Sequence, residues 1–230
     1  MLIIMEFMKW TENLKQTALR YCHVPKAAVS RYEPLLEELR HPLQENTHFR
    51  FIFRVFDLER NGDSISVDQG RIVLSGRMAQ SLLAHCEKVL ILGATLSGDF
   101  DRQLSQFEVQ NSAKALVFDA LGSALIDEEL DACTKELQQK LPGWYFSDRF
   151  SCGYGDLPLS LQSDLAELLK LAQTIGVHVL PSRMMVPTKS VTAFIGLSRT
   201  PLPAKIRGCA YCPLRPDCKY LKGGLRCYEN

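Results

Sequence analysis

Four of the eight cysteines fall within nineteen residues as Cys209-x2-Cys212-x5-Cys218-x8-Cys227, the sharpest chemical pattern in the chain. Four thiolates can satisfy a tetrahedral zinc ion or hold an iron–sulfur cluster, and a two-residue gap lets both sulfurs of the first pair reach one metal. The remaining gaps match neither the common zinc ribbon nor the ferredoxin run, so zinc and iron–sulfur stay equally open. Reduced cysteines held against the main domain, or a disulfide between two of them, are the bland alternatives. Lys205, Arg207, Arg215, Lys219, Lys222 and Arg226 surround the cluster, opposed by Asp217 and Glu229. That local excess balances a negatively charged tetrathiolate site, or it receives an acidic partner, a flavodoxin-like reductant or nucleic acid.

The second segment with chemical content is Arg149-Phe150-Ser151-Cys152-Gly153-Tyr154-Gly155-Asp156. Arg149 offers a planar fork to a carboxylate or phosphate. Gly153 and Gly155 let the backbone adopt left-handed angles and approach a ligand. Tyr154 offers a flat face to a purine or a cation. The set suits a ligand that combines a carboxylate, an aromatic base and a positive centre. It equally suits a plain connection between helices, with turn-forming glycines and a solvated arginine. Lys189 and Ser190 follow Pro187 and could touch a ligand, but a strand start in which the hydroxyl satisfies local backbone fits them better. The five histidines show no metal spacing, and isolated Cys152 reads as inert.

The elements that must position these residues read as follows. Thr11 caps a helix through Leu14, Ala18 and Leu19 toward Cys22. A helical stretch from Lys26 to Arg40 is interrupted by Pro34. His48 to Phe56 alternates, with Phe49, Phe51, Phe53 and Val55 on the buried face. Asn61-Gly62 makes a turn, Ile65–Val67 and Ile72–Leu74 are short strands, and Ser75 opens a helix to about His85. Lys88–Thr95 is apolar enough for a buried central strand. Ser97 to Lys140 reads helical and Pro142-Gly143 ends it. A helix through Leu169 is ended by Gly176, and Val177–Leu180, Met184–Val186 and Val191–Leu197 are strand candidates. Helices, strands, helices and strands in blocks point to an α+β fold with a mixed or antiparallel sheet and a long helix packed on it.

The chain of 230 residues is long enough to bury roughly 70–75% of its extended surface without a metal or disulfide. Apolar residues make up 46% and charged residues 23%, which excludes disordered and collagen-like chains. With 27 basic against 26 acidic side chains, net charge points to neither nucleic acid nor an anionic membrane. No run approaches a membrane span, and Met1–Met5 is too short and lacks the basic flank of a secretory signal. The expectation is a cytoplasmic protein with a main domain over residues 1–200 and a cysteine-rich tail over 201–230.

Taken in order, four segments carry a resemblance: Ile91-Leu92-Gly93-Ala94-Thr95-Leu96-Ser97-Gly98, Phe118-Asp119-Ala120-Leu121-Gly122-Ser123-Ala124, the Arg149–Asp156 loop, and Pro187-Thr188-Lys189-Ser190-Val191-Thr192. Over roughly Ala18 to Ser198 the chain resembles the stand-alone proteins similar to the activation domain of cobalamin-dependent methionine synthase. The resemblance implies that fold and an S-adenosylmethionine site. It implies that Arg149 holds the ligand carboxylate, that Ser151, Gly153 and Tyr154 shape the pocket, and that Asp127 serves the ribose or ammonium group. It also implies a corrinoid-binding methyltransferase as partner, since cobalamin would come only through that partner: no Asp-x-His-x-x-Gly pattern occurs here. Cys152 stands where relatives often have proline, and Ile195 lies near the place of a tyrosine in the full-length enzyme. No acidic residue near the start matches that enzyme's. These departures ground the alternative of a non-enzymatic adaptor that docks on a corrinoid protein without binding the nucleotide. A metal-bearing nucleic-acid-binding protein is the third and weakest reading.

Overall fold

The structure, a computed structural model, describes residues 2–5, 9–62, 64–202 and 215–222. In chain order the elements are β1 (Leu2–Met5), α1 (Glu12–Tyr21), α2 (Glu33–Glu45), β2 (Phe49–Asp57), β3 (Glu59–Asn61), β4 (Ser64–Val67), β5 (Ile72–Leu74), α3 (Arg77–Leu83), β6 (Lys88–Thr95), α4 (Gly98–Gln110), α5 (Ser112–Lys140), β7 (Tyr145–Phe146), α6 (Leu161–Leu169), α7 (Leu171–Thr174), β8 (His178–Val179), β9 (Met185–Val186), β10 (Ser190–Ser198) and α8 (Lys219–Lys222). Five strands form one sheet in the order β1-β2-β6-β10-β7, and β3-β4-β5 and β8-β9 form smaller antiparallel sheets. The α+β class expected from the block order is the observed one, and β6 occupies the central position that its apolar run predicts.

The chain divides into two compact units. The first comprises Met1–Arg54, Leu92–Gln139 and Gln162–Thr192. Here the Thr11 hydroxyl caps α1, accepting from Leu14 N at 3.0 Å. This satisfies a backbone donor that the helix itself cannot serve. Leu14, Ala18 and Leu19, at helical spacing, are buried. Pro34 does not interrupt a helix, contrary to the expectation. A 3-10 turn (Lys26–Arg31) precedes it, and Pro34 sits in the first turn of α2, where its missing N–H costs nothing. The helix then continues through Pro42 to Glu45, with Leu36, Leu39 and Leu43 fully buried. The alternation of β2 holds for Phe49 and Phe51 but fails beyond them. Phe53 is half-buried and Val55 is 40% exposed.

The long helical stretch is two helices. Asn111 takes an extended conformation between α4 and α5, and its Oδ1 accepts from Ala113 N and Lys114 N at 3.1 and 3.2 Å. This side chain does locally what a helix interior would not allow it to do. α5 then runs for 29 residues with buried side chains around most of its circumference. Phe118 stacks on Phe100 of α4 with ring centroids 4.7 Å apart, an arrangement worth about 0.5–1.5 kcal/mol beyond area burial. Gly122 is what admits Phe100 so closely: a Cβ there would lie 2.2 Å from Phe100 Cζ. One turn beyond Leu125, Glu129 is also buried, and burial pushes its carboxyl above the usual glutamate range. The helix expected through Leu169 breaks at Lys170, in a left-handed conformation, before α7.

The second unit comprises Val55–Ile91, Lys140–Leu161 and Ala193–Asn230. Its meander β3-β4-β5 buries Ile65, Val67, Ile72 and Leu74, the alternate residues of two short strands. β3 is short and polar and β7 is two residues long, so neither shows in the sequence. Their pairings, with Ser64–Ser66 and with Leu197–Ser198, are what define them. Ser75 does not open α3: the residue before the helix is Gly76, and no local side chain caps it. Residues 203–214 and 223–230, most of the tail expected over 201–230, lie outside the described residues. Of the four tail cysteines, Cys209, Cys212 and Cys227 lie outside the described residues, while Cys218 is half-buried and forms no disulfide. Among the described residues no group of three His, Cys, Asp or Glu is placed to hold a metal, and no helix is long and apolar enough to cross a membrane.

Gly122 supplies a test of this packing. Alanine is favoured over glycine in a helix by about 0.8–1 kcal/mol, but overpacking a core costs about 1–3 kcal/mol. Phe100 is fully buried and has no solvent to swing into. Gly122→Ala is expected to lower stability in denaturant titration despite its better propensity, and a stabilised variant would refute the close approach.

Candidate functional site

Four of the five residues assigned to a ligand lie in one loop of the second unit. Its entry is pinned by an isolated bridge. Phe150 N donates to Phe194 O at 3.1 Å, Phe194 N donates to Phe150 O at 2.7 Å, and the two rings stack at 5.2 Å. Tyr154 N donates to Ser151 O at 3.1 Å, Leu157 N to Tyr154 O at 3.0 Å, and Gly153 N to Leu157 O at 3.0 Å. Buried Cys152 and Leu157 root this turn, and positive φ at Gly153 and Gly155 lets it close. Arg149 and Ser151 are half-buried, Arg149 being engaged within the chain. Tyr154 is 58% exposed at the tip. The loop is therefore a folded turn rather than a slack connection, and it presents an aromatic ring outward.

The loop's last residue does work that the sequence does not show. Asp156 supplies the missing cap of α3: Oδ2 accepts from Arg77 N at 2.7 Å and Oδ1 from Met78 N at 3.0 Å, across 79 and 78 residues. The Arg77 guanidinium lies 3.9 Å from Oδ2. The N–H of Met78, and then that of Arg77, hold the Asp156 carboxyl below its ordinary value, so it is ionised through the neutral range.

Asp127, the fifth assigned residue, is in the first unit on α5, half-buried, and accepts from the Tyr21 hydroxyl at 3.2 Å. It ends a polar line, Asp119, Ser123 and Asp127, at four-residue spacing along the part of the helix where most other side chains are buried and apolar. Lys189, with only 13% of its side chain exposed, reaches this line: Nζ lies 2.8 Å from Asp119 Oδ1 and 2.8 Å from Ser123 Oγ. Sequence reasoning missed Asp119, Ser123 and Tyr21 as participants. The four-residue recurrence of polar groups on a buried helix was the available signal. The structural reading of Ser190 holds, since its hydroxyl donates to Pro187 O at 2.7 Å and lies 2.9 Å from Thr95 Oγ1. Beside it, Asp101 accepts from Thr188 N at 2.8 Å and from Thr188 Oγ1 at 2.7 Å. The Pro187–Ser190 segment is thus fastened by its own side chains. Cys152 is buried, in keeping with an inert thiol. Ile195 is fully buried in β10.

No family model matches this chain, and no curated protein matches it. Among solved structures, a crystal structure of the MetH reactivation domain bound to AdoHcy matches with a TM-score of 0.64 at 13% sequence identity, over 99% of this chain and 87% of that one. The fold of this chain is that of the MetH reactivation domain.

Proposed function

We propose that this protein binds S-adenosylmethionine through the Arg149–Tyr154 turn and serves a corrinoid-dependent methyltransferase in trans. The observation that carries the reading is the shared fold with a domain solved with AdoHcy, taken together with the chemistry of that turn. The nucleoside's parts match the turn's groups. The planar guanidinium of Arg149 would take the amino-acid carboxylate, the backbone around Ser151 and Gly153 would approach the ligand closely, and Tyr154 would cover an apolar face. Bound S-adenosylmethionine supplies a methyl group for a reduced corrinoid held by the partner. The chain's own part is binding and orientation.

The adaptor reading has one observation in its favour. Buried Ile195 offers no polar group where the enzyme family has a tyrosine. Calorimetric titration with S-adenosylmethionine and with AdoHcy separates the two readings, because an adaptor binds neither. If the nucleotide binds, Arg149→Ala should weaken it by about 1.5–3 kcal/mol, the size of a hydrogen bond to a charged group, or roughly 10–150-fold. Unchanged affinity in that variant would move the site elsewhere.

We also propose that Cys209, Cys212, Cys218 and Cys227 share one metal centre, a reading supported by their spacing alone. Anaerobically purified protein should contain stoichiometric zinc and be colourless, or contain iron with sulfide and be brown, and any single Cys→Ser change should release the metal while the main domain stays folded. Metal-free wild type after chelator-free anaerobic preparation would overturn the proposal.

A further inference from the structure

We propose that Asp156 is a positioning residue for the ligand: its carboxylate fastens the Arg149–Asp156 turn to the start of α3 and thereby fixes Arg149 and Tyr154. The inference rests on the reading of that turn as the nucleotide site.

Three observations within the second unit carry it. The first is the pairing itself. Helix α3 begins at Gly76 without a side-chain cap of its own, so its first N–H groups need an outside acceptor. Asp156 gives one oxygen to Arg77 N and the other to Met78 N, which uses both carboxylate oxygens on one helix end. An ionised carboxylate accepting from backbone N–H groups makes stronger hydrogen bonds than a neutral acceptor does.

The second is that backbone on both sides is stripped to allow the approach. A Cβ at Gly76 would stand 2.7 Å from Asp156 Oδ1 and 2.9 Å from the Asp156 carbonyl oxygen. Gly76 also has φ of 104°, which side-chain-bearing residues rarely adopt. A Cβ at Gly155 would lie 3.0 Å from Met78 Cε, again at a positive φ of 57°. At each glycine an added Cβ would crowd the other segment.

The third is the mechanics of the turn. Phe150, next to Arg149, is tied to β10 at one end, and Asp156 is tied to α3 at the other. Between the two anchors lie Gly153, Tyr154 and Gly155, two of them conformationally permissive and all three exposed. Glycines between anchors would otherwise leave the turn many conformations, and ordering them on binding would subtract from affinity. Asp156 removes that cost before the ligand arrives.

The test uses the full chain with AdoHcy as probe and reads two quantities: affinity by calorimetry, and amide hydrogen exchange over residues 76–79 and 151–157 without ligand. In Asp156→Asn one oxygen is replaced by an amide NH2, which cannot accept from the second N–H. The proposal expects faster exchange in both segments and a roughly tenfold loss of affinity, the size of one charge-assisted bond. It further expects a smaller additional loss when Asp156→Asn is placed on Arg149→Ala, because the share that runs through Arg149 is already gone and only the share through Tyr154 remains. Gly76→Ala, which pushes on Asp156 from the helix side, should reproduce the exchange pattern and decides the matter if Asp156→Asn does not fold. Unchanged exchange with unchanged affinity overturns the proposal, as does a loss of affinity of equal size in both Arg149 backgrounds. If wild type does not bind AdoHcy, the nucleotide reading fails by itself. The fastening then stands or falls on exchange alone, with faster exchange in the variants upholding it and unchanged exchange overturning it.

Discussion

The constraint on which the first unit depends is the burial of α5. A helix of 29 residues with apolar side chains around most of its circumference cannot remain in water, and it obliges other elements to cover it. The covering is close. Phe100 and Phe107 of α4 both meet Phe118, one stacked and one edge-on, and Gly122 removes the side chain that would hold Phe100 away. What such a helix leaves uncovered is informative. The polar line Asp119, Ser123 and Asp127 is its half-exposed strip, and the chain brings Tyr21 and Lys189 to it rather than apolar groups. Core burial therefore selects which α5 residues stay half-exposed, and Asp127 is one of them.

Elements whose signals were local could be read from the sequence, and elements defined by a distant partner could not. Thr11 reads as a cap because the bond it makes is three residues away, and Lys88–Thr95 reads as a central strand because burial on both faces demands a continuous apolar run. β1, four apolar residues, and β7, two, are too short to carry such a signature by themselves, and their registers with Phe49–Ile52 and with Leu197–Ser198 are what make them strands. α3 is the clearest case. Ser75 is the residue type expected of a cap, yet the carboxylate that does the capping lies 79 residues on from Arg77. Pro34 misleads for the opposite reason: its effect depends on whether it falls in a helix interior or in a first turn, and the sequence does not fix which.

The fold was legible through the ordered resemblance of four segments, and the structure explains why those segments hold together as a set. Thr95 meets Ser190, Asp101 meets Thr188, and Asp119 and Ser123 meet Lys189. Three of the four quoted segments thus interlock within the first unit, through side chains rather than through apolar packing alone. An overall identity of 13% to the MetH reactivation domain is compatible with a retained fold when the constraint lies in a few such contacts and in the pattern of burial.

The same contacts separate residues that serve the fold from residues available to a ligand. Lys189, like Arg149, is a cation beside a turn. Its side chain is only 13% exposed and its ammonium is already shared between a carboxylate and a hydroxyl, so recruiting it would first cost that pairing. Tyr154 stands at the other extreme. Its ring is 58% exposed although the turn beneath it is rooted by buried Cys152 and Leu157 and closed by three backbone hydrogen bonds. An exposed ring on a slack loop would say little, since scattered apolar exposure is ordinary. On an ordered turn, the apolar area left in water can be buried on binding with little further ordering to offset it, at about 25 cal/mol per Å² of apolar surface. Order without coverage is what distinguishes the Arg149–Asp156 turn from the Pro187–Ser190 segment, where order and coverage come together.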